Sequence, residues 1–272
     1  MQKGHAIQGF EGSFHQMAVQ KLFGEKARVI QCSTFSELVR SAENTSISNG
    51  GVMAIENSIA GSILANYNLL NKSKLYITGE VYLKIEQQLI TLPGVDLDEI
   101  EEVQSHPMAL QQCYEFLEQH SWKLVETIDT ALSAKMLYES QQRNVAVIAG
   151  KLAAKLYGLQ ISASNVNTQA NNYTRFLVLS PKQSYPEDAN KASVYFETDH
   201  KHGSLARALT LIAERGVNLT KLQSIPVPES EWLYGFYADL EFDNTKELEY
   251  AYAHLSEITA TTKLQGIYKS GR

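Results

Sequence analysis

Thr174-Arg175-Phe176 stands where a polar loop, Asn171-Asn172-Tyr173, turns into an apolar run. An arginine in that setting can grip a carboxylate through two parallel hydrogen bonds. A threonine hydroxyl beside it can donate to an oxygen that is leaving. The same tripeptide also fits the start of an ordinary strand with a surface arginine, and on pattern alone that plainer reading is the stronger. Four more polar clusters close strand-like runs: residues 9–13, Glu56-Asn57-Ser58, Ser105-His106 and Asp129-Thr130. Ligands in α/β sheets bind outside the carboxyl ends of strands, so this recurrence points to a cleft. Gly12-Ser13 supplies an N-cap, and the helix start behind it can face an anion. A pure turn role for the glycines fits equally well.

Other chemistries lack their residues. Gly4, Gly9 and Gly12 do not have the spacing of a dinucleotide fingerprint, and no phosphate-binding Gly-rich loop or nucleophile elbow occurs. Of seven histidines none pairs at helical spacing with another, so no metal site is expected. His200 and His202 read as a solvated turn. His106, taken alone, is either structural or cleft-lining. Two cysteines, Cys32 and Cys113, are too few for a disulfide framework and read as reduced thiols of a cytoplasmic protein. The net charge of −6 and the absence of a Lys/Arg block argue against nucleic acid. No uncharged apolar run approaches the roughly 18 residues of a membrane span. Met1 to His5 lead into a strand-like run, unlike a signal peptide. What remains is hydroxyl, amide and guanidinium chemistry that needs no cofactor.

The elements that must position these residues can be read from periodicity. Over the first 180 residues strand patterns alternate with helices at 14–23, 35–43, 62–70, 108–120, 131–140 and 151–156, and Thr34 with Glu37 forms a capping-box signature. Strands at 6–10, 27–32, 51–57, 103–106, 123–128, 145–149, 159–163 and 175–179, with a long β-rich stretch at 75–92, predict parallel sheets covered by helices. The restart after that stretch predicts two α/β lobes with a cleft between them. Residues 181–189, with two prolines, read as a linker. Beyond it a βαββαβ order in about 80 residues is the ferredoxin-like motif, expected as a separate α+β domain.

Several segments together resemble the prephenate dehydratase family with a C-terminal ACT regulatory domain. Gly9-Phe10-Glu11-Gly12-Ser13-Phe14, Ile55-Glu56-Asn57-Ser58 with Gly61-Ser62, Gly79-Glu80-Val81, Ser105-His106-Pro107 with Gln112-Cys113, Asp129-Thr130-Ala131, and Thr174-Arg175-Phe176 follow one another in the family's order. The likeness runs over essentially the whole chain. In the C-terminal part Gly203-Ser204-Leu205, Asn218-Leu219 and Ser224-Ile225-Pro226 resemble the family's effector motif, but Gln223 and Ile225 replace its Glu and Arg. Gln87 stands where the family often has His.

The resemblance implies a two-lobed, periplasmic-binding-protein-like catalytic domain over residues 1–182 and a ferredoxin-like ACT domain over 190–272. It implies a cofactor-free lyase that converts prephenate to phenylpyruvate in phenylalanine biosynthesis. Thr174 would be the donor to the departing hydroxyl. Arg175 would clamp a carboxylate, with Phe176 beside it. Ser13, Asn57, Ser58, Ser105 and Thr130 would bind the other oxygens, and His106 and Glu56 would orient neighbours. Gly203, Ser204, Leu205, Asn218, Leu219, Ser224, Ile225 and Pro226 would bind an effector, L-phenylalanine in the family. A homodimer or homotetramer and a cytoplasmic location are expected. Two other readings fit the same residues: an arogenate or dual-specificity dehydratase, and a non-catalytic amino-acid-sensing protein.

Overall fold

The computed structural model describes residues 3–227 and 233–272; Met1 and Gln2 and the tip of the predicted C-terminal hairpin lie outside the described residues. The first lobe begins β1 (Gly4–Gln8), α1 (Phe14–Phe23), β2 (Val29–Cys32), α2 (Phe35–Glu43), β3 (Ser48–Asn57), β4 (Gly61–Ser62), α3 (Leu64–Lys72) and β5 (Tyr76–Lys84). Thr34 caps α2 by accepting from Glu37 N, and Glu37 reaches back to the amide of Ser33, one residue before the cap. The chain then enters the second lobe: β6 (Gln87–Thr91), a 3-10 turn (Leu97–Glu99), β7 (Glu102–Ser105), α4 (Pro107–Gln112), α5 (Tyr114–Leu117), β8 (Lys123–Glu126), α6 (Thr130–Ser140), β9 (Val145–Gly150), α7 (Lys151–Tyr157) and β10 (Gln160–Ala163). It returns to the first lobe as β11 (Tyr173–Ser180).

Two sheets result, ordered β2-β1-β3-β11-β5 and β10-β6-β9-β7-β8. They are mixed, not all parallel as expected. β1 is parallel to both β2 and β3, and β7 to both β8 and β9, but β11 runs antiparallel to β3 and β5, and β6 to β9 and β10. The stretch at 75–92 is two strands in two different sheets. The chain passes straight from β5 to β6 through residues 85–86 with no crossover helix. A strand that leaves a lobe and one that comes back must run opposite ways.

The helix expected over 108–120 breaks at Cys113 into α4 and α5. The returning segment 164–172 inserts there: Thr168 N donates to the Gln112 carbonyl (2.8 Å) and Thr168 Oγ1 accepts from Glu115 N (3.1 Å). A carbonyl that would have continued the helix is thereby taken by a distant chain segment.

The third unit is β12 (Lys191–Glu197), α8 (Ser204–Glu214), β13 (Asn218–Pro226), β14 (Tyr234–Glu241), α9 (Thr245–Ile258) and β15 (Thr261–Tyr268), an antiparallel sheet ordered β13-β14-β12-β15. Strand alternation divides its side chains. Val194, Phe196, Phe236 and Ala238 pack under α8 and α9, around Ala208, Ile212, Leu248 and Leu255. Tyr195, Ile225, Tyr237 and Tyr268 face the other way, onto Met53, Ile55, Tyr67, Leu70, Leu177 and Leu179 of the first lobe. The unit thus has a core of its own under its helices and, on its other face, shares a second one with the first lobe. Gly266 permits this approach, since a Cβ there would lie 2.0 Å from the Ile77 carbonyl oxygen.

Candidate active site

The first lobe's sheet ends in the residues that matter. Across β3 and β11, Thr174 pairs with Asn57 and Arg175 with Glu56. Side chains on neighbouring positions of a strand point to opposite faces. Thr174 and Asn57 meet on one side: Asn57 Nδ2 donates to Thr174 Oγ1 (3.0 Å), to Asn172 Oδ1 (2.6 Å) and to the Tyr173 carbonyl (3.2 Å). Asn57 Oδ1 accepts from the amides of Ile59 and Ala60, at 2.9 Å each, which fixes the orientation of the amide group. Asn172 is fully buried and passes the connection to the second lobe, its Nδ2 donating to Gln112 Oε1 (2.9 Å).

This relay leaves two hydrogen-bond donors over. Among the described residues no acceptor takes the Thr174 hydroxyl proton or the Gln112 side-chain amide protons. Gln112 also lines an open cavity of about 400 Å³ with Ile59, Ala60, Met108, Thr168 and Gln169. Asn172 and Gln112 were missed as site residues by sequence reasoning. Gln112 lay inside a quoted segment, but a glutamine on a helix gives no signal of its own; the chain crossing that aims it is a tertiary feature.

A second cluster, where the two lobes meet, gathers Gly9, Ser13 and Asp129. Gly9 and Gly12 have φ of 98° and 90°, a region open to glycine. A Cβ at Gly9 would lie 3.0 Å from Asp129 Oδ2, and one at Gly12 2.8 Å from Ala153 Cα, so the two lobes touch here. Ser13 is buried and caps α1, accepting from Gln16 N (3.3 Å). Asp129 caps α6 through Leu132 N (2.9 Å), with Thr130 opening that helix. Burial raises the Asp129 pKa, opposed by the α6 amides and nearby His106. His106 caps α4, its Nδ1 accepting from Met108 N (3.2 Å).

Five residues expected at or beside the substrate are engaged by other protein groups. Arg175 is 3% exposed and turned away from Thr174. It donates to Glu80 Oε2 (2.6 Å), to Tyr268 Oη (3.1 Å) and to Asp239, so it joins the third unit and grips no substrate. Burial works against its charge, but Asp239, Tyr268 and Glu80 outweigh it and raise its pKa. Glu56 lies on the same side and takes the Lys221 ammonium. Phe176 is core, packed with Ile7, Val19, Val52 and Val81 and met edge-on by His15. Ser105 is fully buried and donates to the Ile148 carbonyl (2.6 Å). Ser58 Oγ donates to the Asn171 carbonyl (3.0 Å) and accepts from Tyr173 N (2.9 Å), so it holds the loop before β11.

In the third unit Gly203, Ser204 and Leu205 line an open groove of about 620 Å³ with residues 198–202 and Leu233, Tyr234 and Phe236. Asn218, Leu219, Ser224 and Pro226 are on β13 and do not line it, and Ile225 points into the core shared with the first lobe, which removes it as an effector ligand. Among the described residues no cluster of three or more His, Cys, Asp or Glu could hold a metal, and no helix is long and apolar enough to cross a membrane.

Comparison with known proteins finds relatives over nearly the whole chain. The prephenate dehydratase family model matches residues 5–184. The bifunctional chorismate mutase/prephenate dehydratase of Buchnera aphidicola is 32% identical over 269 residues, covering 96% of this chain and 70% of that protein. A prephenate dehydratase from Arthrobacter aurescens, solved with L-Phe, superposes with a TM-score of 0.89 at 27% identity, covering 98% of this chain and 90% of that one. GqqA, described as a novel type of quorum quenching acylase, superposes with a TM-score of 0.87 at 26% identity, covering 98% of each chain. The match spans both lobes and the strand that carries Thr174: this chain belongs to the prephenate dehydratase family.

Proposed function

We propose that the chain is a lyase that expels carbon dioxide and water from prephenate in the cleft around Asn57, Gln112, Asn172 and Thr174, giving phenylpyruvate for phenylalanine biosynthesis. The bond from the ring to its carboxylate breaks and leaves its electron pair in the ring. The ring carbon–hydroxyl bond breaks, and the oxygen leaves as water with one added proton drawn from the solvent. Aromatisation drives the reaction, so the protein's task is to hold the dianion and ease the oxygen away. A threonine hydroxyl is too weak an acid to be the net proton source. It serves by donating a hydrogen bond aimed in advance at the growing negative charge. The observation that supports this reading is the bond from Asn57 Nδ2 to Thr174 Oγ1. It fills a lone pair on the oxygen and polarises the O–H, which makes the hydroxyl a better donor. The Gln112 amide adds a second donor. Ser13, His106, Thr130 and the starts of α1 and α6 remain to bind carboxylate oxygens.

The same bond argues against an acylase reaction by Thr174. An oxygen that already accepts a hydrogen bond is a poorer nucleophile, and the relay around it holds amides where a general base would have to be. The C-terminal unit reads as an ACT domain, and the lobes as periplasmic-binding-protein-like. We place the enzyme in the cytoplasm as a homodimer or homotetramer, with an effector of the L-phenylalanine class held between two such units. Steady-state kinetics test the site. Thr174→Ala is expected to lower kcat on prephenate by about 10²-fold with KM little changed. A kcat near the parent value would remove Thr174 from the mechanism. Arogenate assayed beside prephenate decides which of the two is preferred.

A further inference from the structure

The residues on the far side of Thr174 and Asn57 form a second, buried constellation that the lyase reaction does not use. Arg175 and Glu80 hold Asp239 and Lys191 of the third unit, with Lys191 Nζ 3.0 Å from Glu80 Oε1. Ser193 Oγ donates to Asp239 Oδ1 (2.5 Å) and lies 2.7 Å from Tyr268 Oη. Arg175, Glu80 and Lys191 have side chains at most 3% exposed. At the edge of this group Lys221 of β13 reaches across to Glu56 and also donates to Ser62 Oγ (2.8 Å), which ties β3 and β4 together. Buried charges like these are held in place because removing one partner strands the other.

Register gives the constellation its reach. Glu56 is bonded through the chain to Asn57, as Arg175 is to Thr174, and the two pairs stand directly opposite each other across β3 and β11. The third unit therefore grips the residue next to the amide donor and the residue next to the hydroxyl. We propose that Lys221 is a positioning residue for the reaction: by holding Glu56 it sets the end of β3, and through it the Asn57–Thr174 hydrogen bond, so that a shift of β13 alters turnover. This rests on the lyase reading above and adds the route by which the third unit acts on the site. Lys221 lies on the strand that carries Asn218, Leu219 and Ser224, so a ligand that moves this strand moves the clamp.

The experiment compares the full chain with Lys221→Met, which keeps the stem and loses the charge, and with Lys221→Arg. Misplacement of reacting groups by about 1 Å can lower a rate roughly 10²-fold. Lys221→Met is accordingly expected to lower kcat on prephenate at least about tenfold with KM within about twofold, while Lys221→Arg restores most of the rate. In the same protein, hydrogen exchange should quicken at the amides of Ser58, Ile59, Ala60 and Tyr173, which the Asn57 turn and the Ser58 clasp protect. A folded Lys221→Met protein with parent kcat and parent exchange at these amides overturns the proposal. A merely structural role would lower the melting temperature and leave the kcat of folded protein unmoved, which also overturns it. Should the parent chain fail to turn over prephenate, the lyase reading falls and the exchange measurement alone decides on the clamp. Should Lys221→Met not fold, the Glu56→Gln chain is read by the same two measurements and with the same outcomes.

Discussion

Thr174 and His15 show how the same physics, a group placed among neutral partners, gives one residue a task and another a liability. The Thr174 oxygen accepts from Asn57 and keeps its own proton to give. His15, buried beneath Phe176, has its Nε2 accepting from the Ala54 amide (3.3 Å), and burial pushes its pKa down to about 3. The unfolded chain takes up that proton near pH 6.5 and the folded one does not, so stability is full above about pH 6.5 and falls as the solution is acidified. Between pH 7 and pH 5 the expected loss from this residue is about 2 kcal/mol. Urea denaturation at both pH values should show that loss in the parent and most of it absent from His15→Gln. Equal acid sensitivity in the two would mean that His15 is protonated in the fold.

At the scale of elements, the strand ends, the polar clusters and the βαββαβ order were legible, because each rests on local periodicity and capping. Which way a side chain faces was legible too, although the carboxylate clamp assigned to Arg175 ignored it. Period-two alternation already implies that if Thr174 points into the cleft, Arg175 points away from it. Glu56 beside Asn57 obeys the same rule. Gln112 and Asn172 could not be found this way, since their bond depends on segment 164–172 crossing back over α4. The sharing of a core between the first lobe and the third unit was hidden for a similar reason: Tyr195, Tyr237 and Tyr268 meet Tyr67, Leu177 and Leu179 only through contacts between segments far apart in the chain. Gly266 is where that docking is most exposed to a single change. Gly266→Ala would bring a Cβ against the Ile77 carbonyl, and strain of that kind typically costs about 1–3 kcal/mol. Faster proteolysis within residues 181–189, together with a lower denaturation midpoint, is the expected result. An unchanged cleavage rate would show that β15 can shift without releasing β5.

The molecule as a whole behaves as two lobes joined by two crossings, residues 85–86 and 164–172, with a third unit fastened to one of them. A chain ending after Ser184 should fare badly. It would lose Asp239 and Tyr268 from Arg175, and it would expose Tyr67, Ile77, Leu177 and Leu179. Low soluble yield and strong binding of a hydrophobic dye are expected, and a soluble fragment with parent activity would contradict the shared core. Chain order has one more consequence. β11 fills the gap between β3 and β5, yet 117 positions separate Thr174 from Asn57. On the ribosome, the second lobe is complete in sequence before that gap can close. A polypeptide that stops between Cys113 and Asn172 carries Asn57 and Gln112 without the Thr174 hydroxyl, so under the proposed mechanism it is catalytically silent, and the power to consume substrate arrives only after both lobes have been synthesised.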